Sequence, residues 1–144
     1  MEKIESTTTI EETGNYLHLF FYRAPKKNHD AIAKNLKQFV PWFQKHGVRI
    51  EYYQLGNSET QAAIDSAKES GMDVMESVAK TLSIDEDEEE VWIEQQYFRD
   101  HKHCQEVYAK MMQDKSIEPL GNEFFGLVTQ GKSLIMGGFF RLMA

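Results

Sequence analysis

The chain has 144 residues and a net charge of −7, with 41% hydrophobic and 27% charged residues. That length suits one domain with its own core, since a chain of this size buries about 68–70% of its unfolded surface. The acidic surface repels phosphate backbones and anionic headgroups, so neither nucleic acid nor membrane is an expected partner.

Residues 1–14 are polar and acidic and read as a frayed leader, leaving 15–144 as a single domain. The leader lacks the basic and apolar regions of a signal peptide. The single cysteine, Cys104, offers no internal disulfide, so a cytoplasmic protein is expected. The apolar runs Leu17–Tyr22 and Leu134–Phe140 fall far short of the roughly 20 residues a spanning helix needs.

The first predicted element is a strand over Tyr16–Tyr22, aromatic-rich and closed by Pro25. A helix follows, with Ile32, Leu36, Phe39 and Phe43 on one face. Asn28 is its expected cap and Gly47 its left-handed stop. Pro41 removes a backbone donor and clashes with the carbonyl of Lys37, which predicts a kink or a break. Val48, Ile50 and Tyr52 alternate with Arg49, Glu51 and Tyr53, a strand with one buried face. Residues 58–82 turn helical, with Ser58 and Gln61 as a capping box and Gly71 as a divider.

The acidic run Asp85–Glu90 reads as a solvated turn, since like charges repel and stay hydrated. It lacks the spaced ligands and central glycine of a calcium loop. The stretch VWIEQQYF is the third strand. Residues 100–113 form the next helix, residues 115–131 are irregular, and KSLIMGGFFRLM is the last strand. Gly137 and Gly138 inside it point to a bulge or a close backbone approach. The order β-α-β, inserted helices, β-α-β is that of an α+β ferredoxin-like sandwich, with a four-stranded antiparallel sheet and both main helices on one face.

RDHKHC, Arg99 to Cys104, gathers an aspartate, two histidines and the cysteine. Asp100 sits where a helix N-cap belongs, and Cys104, Val107, Tyr108 and Met111 form one apolar stripe. His103 projects about 100° away from Cys104, so the two do not act together. A zinc site would need ligands from elsewhere that no CxxC or HxxxH pair supplies. The favoured reading is a helix start, with no metal.

These residues carry a family resemblance. FRDHKHCQEVYAKMMQD is similar to the stretch Y-K/R-S-R-x-H and A-K-V-M-x-D of the YbaA-like family of small uncharacterised bacterial proteins. APKKNHDAI, KHGVRIEYY (family H-G-A-L-E-Y) and GKSLIMGGF (family G-K-R-M-I-Y-G-G-F) continue the resemblance in the same order, over about residues 24 to 140. Asp100 replaces the family's serine, Met136 its aromatic before Gly-Gly, and Gln130 its aspartate. The resemblance implies a ferredoxin-like fold of the dimeric α/β-barrel type, and no reaction.

Two helices cover one face of a four-stranded sheet. By alternation Leu17, Leu19, Phe21, Val48, Ile50, Val91 and Ile93 are assigned to that covered face. The other face then carries Tyr16, His18, Phe20, Tyr22, Arg49, Glu51, Tyr53, Trp92, Glu94 and Gln96. It is too aromatic for water and too polar for a dry core, so a second copy packed on it would enclose a lined cavity. The ligand-binding candidates are His18, Glu51, Tyr53, Trp92, Glu94 and Gln96. His18, tuned by Glu51 or Glu94, is the candidate general base. The same histidine bonded to a carboxylate with no ligand is the plainer alternative.

Two functional readings follow. One is a homodimer binding a small aromatic molecule between its sheets, with an enzymatic role left open. The other is a non-catalytic dimeric interaction module, with residues 58–82 as its partner surface. No GxGxxG follows a strand and no GxxxxGK[ST] occurs, so no cofactor is expected; haem ligation by a histidine is left open.

Overall fold

A computed structural model describes residues 13–129 and 134–143. Most of the expected leader, residues 1–12, lies outside the described residues, as do Lys132 and Ser133 of the predicted last strand. Thr13, at the leader's end, is buried.

Strand β1 spans Tyr16–Pro25, β2 Arg49–Gln54, β3 Glu89–Phe98 and β4 Ile135–Phe140. They form an antiparallel sheet in the order β2-β3-β1-β4. Helix α1 (His29–Lys45) joins β1 to β2, while α4 (His101–Gln113) and α5 (Glu118–Leu127) join β3 to β4. Between β2 and β3 lie the inserted helices α2 (Asn57–Glu69) and α3 (Val78–Thr81). Two split β-α-β crossovers thus place helices on one face, as the right-handed rule requires.

Local chemistry accounts for the helix ends. The Asp100 carboxylate accepts from the His103 backbone N–H at 2.8 Å, satisfying a free donor of the first turn of α4. Gly47 takes φ +82, the left-handed turn that ends α1. Gly71, at φ +91, follows α2 in the same way.

Several local expectations are corrected. Asn28 holds the N-cap position of α1 as expected, but its side chain makes no capping bond; its amide donates to the Leu127 carbonyl at 2.9 Å and ties α1 to α5. Helix α1 runs unbroken through Pro41, which lies on the exposed side where water can serve the freed carbonyl. Gly56, not Ser58, precedes α2, and the Ser58 hydroxyl turns to Glu59. Residues 118–127, expected to be irregular, form α5: Pro119 fits a first turn, where its missing N–H costs nothing. The pair Gly137 and Gly138 makes no bulge, for β4 pairs in register with β1 through both. The close approach is real: a Cβ on Gly138 would lie 2.1 Å from the Tyr16 hydroxyl.

The largest correction concerns the faces of the sheet. Directly paired residues of an antiparallel ladder share a face. Tyr16 pairs with Phe98, His18 with Gln96, Phe20 with Glu94 and Tyr22 with Trp92. Tyr16 and Phe98 pack in one cluster with Phe43 of α1, Val48 just ahead of β2, and Cys104 and Val107 of α4. Tyr22 packs in a second cluster with Ile32, Leu36, Phe124 and Val128, from α1, α5 and the residue after it. The aromatic side of β1 is therefore the helix-covered side. Leu17, Leu19, Phe21, Val91 and Ile93 face the other way, with Arg49, Glu51 and Tyr53. Only Val48 and Ile50 of the expected covered set lie under the helices.

Candidate functional site

The two apolar clusters do not merge. Between them, on the helix side of the central strands, sit His18, Gln96 and Glu94. A polar seam thus crosses the middle of the core.

The seam is one hydrogen-bonded chain. The Tyr22 hydroxyl donates to Glu94 Oε1 at 3.1 Å. The Gln96 amide donates to Glu94 Oε2, and Tyr108 from α4 donates to Gln96 Oε1. His18 Nδ1 lies 3.3 Å from the Tyr108 oxygen, and His18 Nε2 lies 3.6 Å from Cys104 Sγ. Tyr52 adds a further hydrogen bond to Glu94. Burying polar groups costs free energy unless each finds a partner, and here every member has one.

Burial sets the charge state. Glu94 is 5% exposed. Desolvation raises its carboxyl above the ordinary value, against the opposing hydrogen bonds of Gln96, Tyr52 and Tyr22. His18 is lowered, first by burial and then by the nearby His101. Tyr22, Tyr52 and Tyr108 are all raised, chiefly by burial and then by Glu94. Burial pushes the Cys104 thiol up to about 11. Around neutral pH the tyrosines, the thiol and the imidazole are uncharged, and no lysine or arginine belongs to the chain of hydrogen bonds.

His18 is only half-buried, whereas Glu94 is sealed. The His18 ring is edge-on to Tyr16, Phe20 and Phe98, at centroid distances of 5.3, 5.9 and 5.4 Å. Across the ladder it faces Gly138, which has no side chain to cover it. Met136 and Phe140 flank Gly138 on the same face and are exposed. Deeper in, Tyr22, Ile32, Leu36, Tyr52, Trp92 and Phe124 line a cavity with room for about one water molecule.

The structure divides the six sequence-predicted residues. His18, Glu94 and Gln96 come together in the seam. Trp92 is on the same face but elsewhere: its indole donates to Glu90, which also holds His29 Nδ1 at 2.7 Å. Glu90, the last member of the acidic run, is therefore buried rather than solvated. Glu51 and Tyr53 lie on the opposite face and cannot tune His18. Glu51 accepts from Arg49 at 2.6 Å and from Tyr53 at 3.3 Å. Tyr53 lines a cleft of about 280 Å³ between that face and α3, together with Phe21, Val78 and Ile93.

The histidines of RDHKHC serve structure. His103 Nδ1 accepts from the Arg99 N–H at 3.1 Å, and its Nε2 reaches the His46 carbonyl at 2.9 Å. His101 packs edge-on against Tyr16 at 4.9 Å. Cys104 lies on the apolar stripe as expected, and its imidazole neighbour is His18 from β1. Sequence reasoning missed Tyr22, Tyr52 and Tyr108 as partners of Glu94 and Gln96. The signal was a tyrosine on each of two strands and a helix beside a carboxylate, but only the register shows that they meet.

No protein-family model matches the chain, and no curated protein matches it. Its structure is similar to that of SnoaB, a cofactor-independent oxygenase from Streptomyces nogalater solved as a point mutant. The TM-score is 0.52 at 10% identity, covering 91% of this chain and 97% of that chain. At that identity the likeness establishes the fold alone: α+β and ferredoxin-like. Among the described residues, no helix is long and apolar enough to cross a membrane.

Proposed function

We propose that the chain binds a small aromatic molecule beside His18, in the polar seam of each protomer of a cytoplasmic homodimer. The observation that carries this reading is the seam itself. A core of this size has no need of a carboxylate, an amide and an imidazole in line, and filling their places with apolar side chains is often neutral or stabilising. The half-buried His18 gives the chain an outer end, ringed by aromatic side chains suited to a flat ligand. The site lies under the helices and not between two sheets.

The sheet face turned away from α1, α4 and α5, only partly covered by α3, supports the homodimer. It presents Leu17, Leu19, Phe21 and Ile93, with Ile135 at 44% and Phe139 at 51% exposure. An exposed apolar patch of this kind is sheltered most simply by a copy of itself. The four sequence blocks that resemble the YbaA-like family support a distant kinship with that group. The SnoaB likeness adds an oxygenase among proteins of this shape, which is analogy of fold.

A second reading, a dimeric interaction module with no ligand, is favoured by the closure of the polar chain on itself. Thermal melting separates the two, with a panel of small aromatic compounds on wild type and His18→Ala. At a hundredfold over Kd a ligand adds about 2.7 kcal/mol, a shift of several degrees. Stabilisation of the wild type and not of the variant supports the ligand site. A panel without any shift, with His18→Ala melting lower by itself, supports the module.

A further inference from the structure

We infer that the hydrogen-bond chain from Glu94 holds His18 in its Nδ1–H tautomer, so that the site presents a bare Nε2 lone pair and takes an aromatic molecule carrying a hydrogen-bond donor. This rests on the ligand reading above and names the class of ligand.

Glu94 sets the direction of every proton in the chain. Its two oxygens accept from Tyr22, Tyr52 and Gln96. The Gln96 amide points its NH₂ group at Glu94 Oε2, the orientation that an ionised carboxylate, an acceptor only, requires. That leaves Gln96 Oε1 toward α4, where it accepts the Tyr108 hydroxyl proton. A hydroxyl has one proton, so the Tyr108 oxygen can only accept from His18 Nδ1, 3.3 Å away. A neutral imidazole protonated on Nδ1 carries its lone pair on Nε2.

Nε2 faces the Cys104 thiol at 3.6 Å, a weak donor against which a ligand O–H or N–H would compete for the lone pair. The imidazole is neutral because burial, and then His101, lower its affinity for a proton. The other titratable groups around it are Tyr16, Tyr108 and Cys104, all uncharged at neutral pH. No cation is present in the seam to hold a carboxylate or a phosphate. A phenol-like O–H meets the lone pair; its methyl ether does not.

Two measurements test this. The first needs no ligand: ¹⁵N-resolved imidazole spectra of the wild type and of Tyr108→Phe at neutral pH. Wild-type His18 is expected to show a protonated Nδ1 and a bare Nε2, and the variant to move toward the Nε2–H form. An Nε2–H tautomer in the wild type overturns the inference while leaving ligand binding standing. A variant that keeps the wild-type pattern overturns the role of the chain. The second compares 2-naphthol with 2-methoxynaphthalene by thermal shift. At least tenfold tighter binding of the naphthol supports the assigned class, and equal binding overturns it. Binding of neither overturns the ligand class together with the ligand reading above.

Discussion

The Tyr22 hydroxyl lies 3.1 Å from Oε1 of Glu94, with both residues withdrawn from water. The pair couples stability to pH. Burial holds Glu94 above its ordinary value of 4.5. A carboxyl raised in the folded state contributes most below its unfolded value and loses that contribution as pH rises through the folded one. Glu94→Gln removes the titration. Its stability relative to wild type should therefore grow by roughly 1–3 kcal/mol between pH 4 and pH 8. Denaturant melts at the two pH values measure this, and a difference constant with pH would refute it.

His18 titrates with the opposite sense. Its folded value lies below the ordinary 6.5, so the unfolded chain takes up a proton first as pH falls. The stability present above about pH 6.5 should decline below it, and His18→Gln should flatten that part of the curve. A pH profile of the variant that overlays the wild type between pH 5 and pH 7 would count against the buried, neutral imidazole.

Gly138 leaves the space that the Tyr16 hydroxyl occupies. A Cβ there would stand 2.1 Å from that oxygen and 3.4 Å from the His18 ring. Gly138→Ala should cost about 1–3 kcal/mol through overpacking. Tyr16→Phe should return part of the loss in the double variant, because it removes the clashing atom. Strictly additive losses would show that the two side chains do not compete.

Asp100 caps α4 through one hydrogen bond of 2.8 Å to His103. Asp100→Ala should lower stability by about 1 kcal/mol, and Asp100→Asn by less, since asparagine caps nearly as well. Equal losses in the two variants would mean that the carboxylate acts by charge alone.

The uncovered face is tested by charge. Ile135→Asp and Phe139→Asp change exposed side chains and leave the clusters under the helices intact. Sedimentation equilibrium at micromolar concentration should show a dimer for wild type and a monomer for each variant. A wild type that sediments as a single chain would remove the dimer.

Residues along the chain carried the order of elements. The stripe Ile32, Leu36, Phe43 built α1, the alternation Val48, Ile50, Tyr52 built β2, and Asp100 marked the start of α4. These depend on spacing and local hydrogen bonding, which neighbours in sequence decide. Helix α5 escaped because Pro119, Gly121 and Gly126 look like punctuation, although Leu120, Phe124 and Leu127 keep helical spacing.

Tertiary structure alone decided which side of the sheet is covered. Alternation divides a strand into two sets, but both sets of β1 carry large apolar or aromatic side chains, so neither declares itself the inner one. The cross-strand register and the right-handed crossovers made the choice, setting Tyr16, His18 and Tyr22 against Phe98, Gln96 and Trp92 beneath the helices. Sequence alone picked out His18, Glu94 and Gln96 as chemistry-bearing residues. That they meet Tyr22, Tyr52 and Tyr108 in one buried chain, while Glu51 and Tyr53 lie beyond the sheet, follows from pairings tens of residues apart, and these exist only once the strands have found their partners.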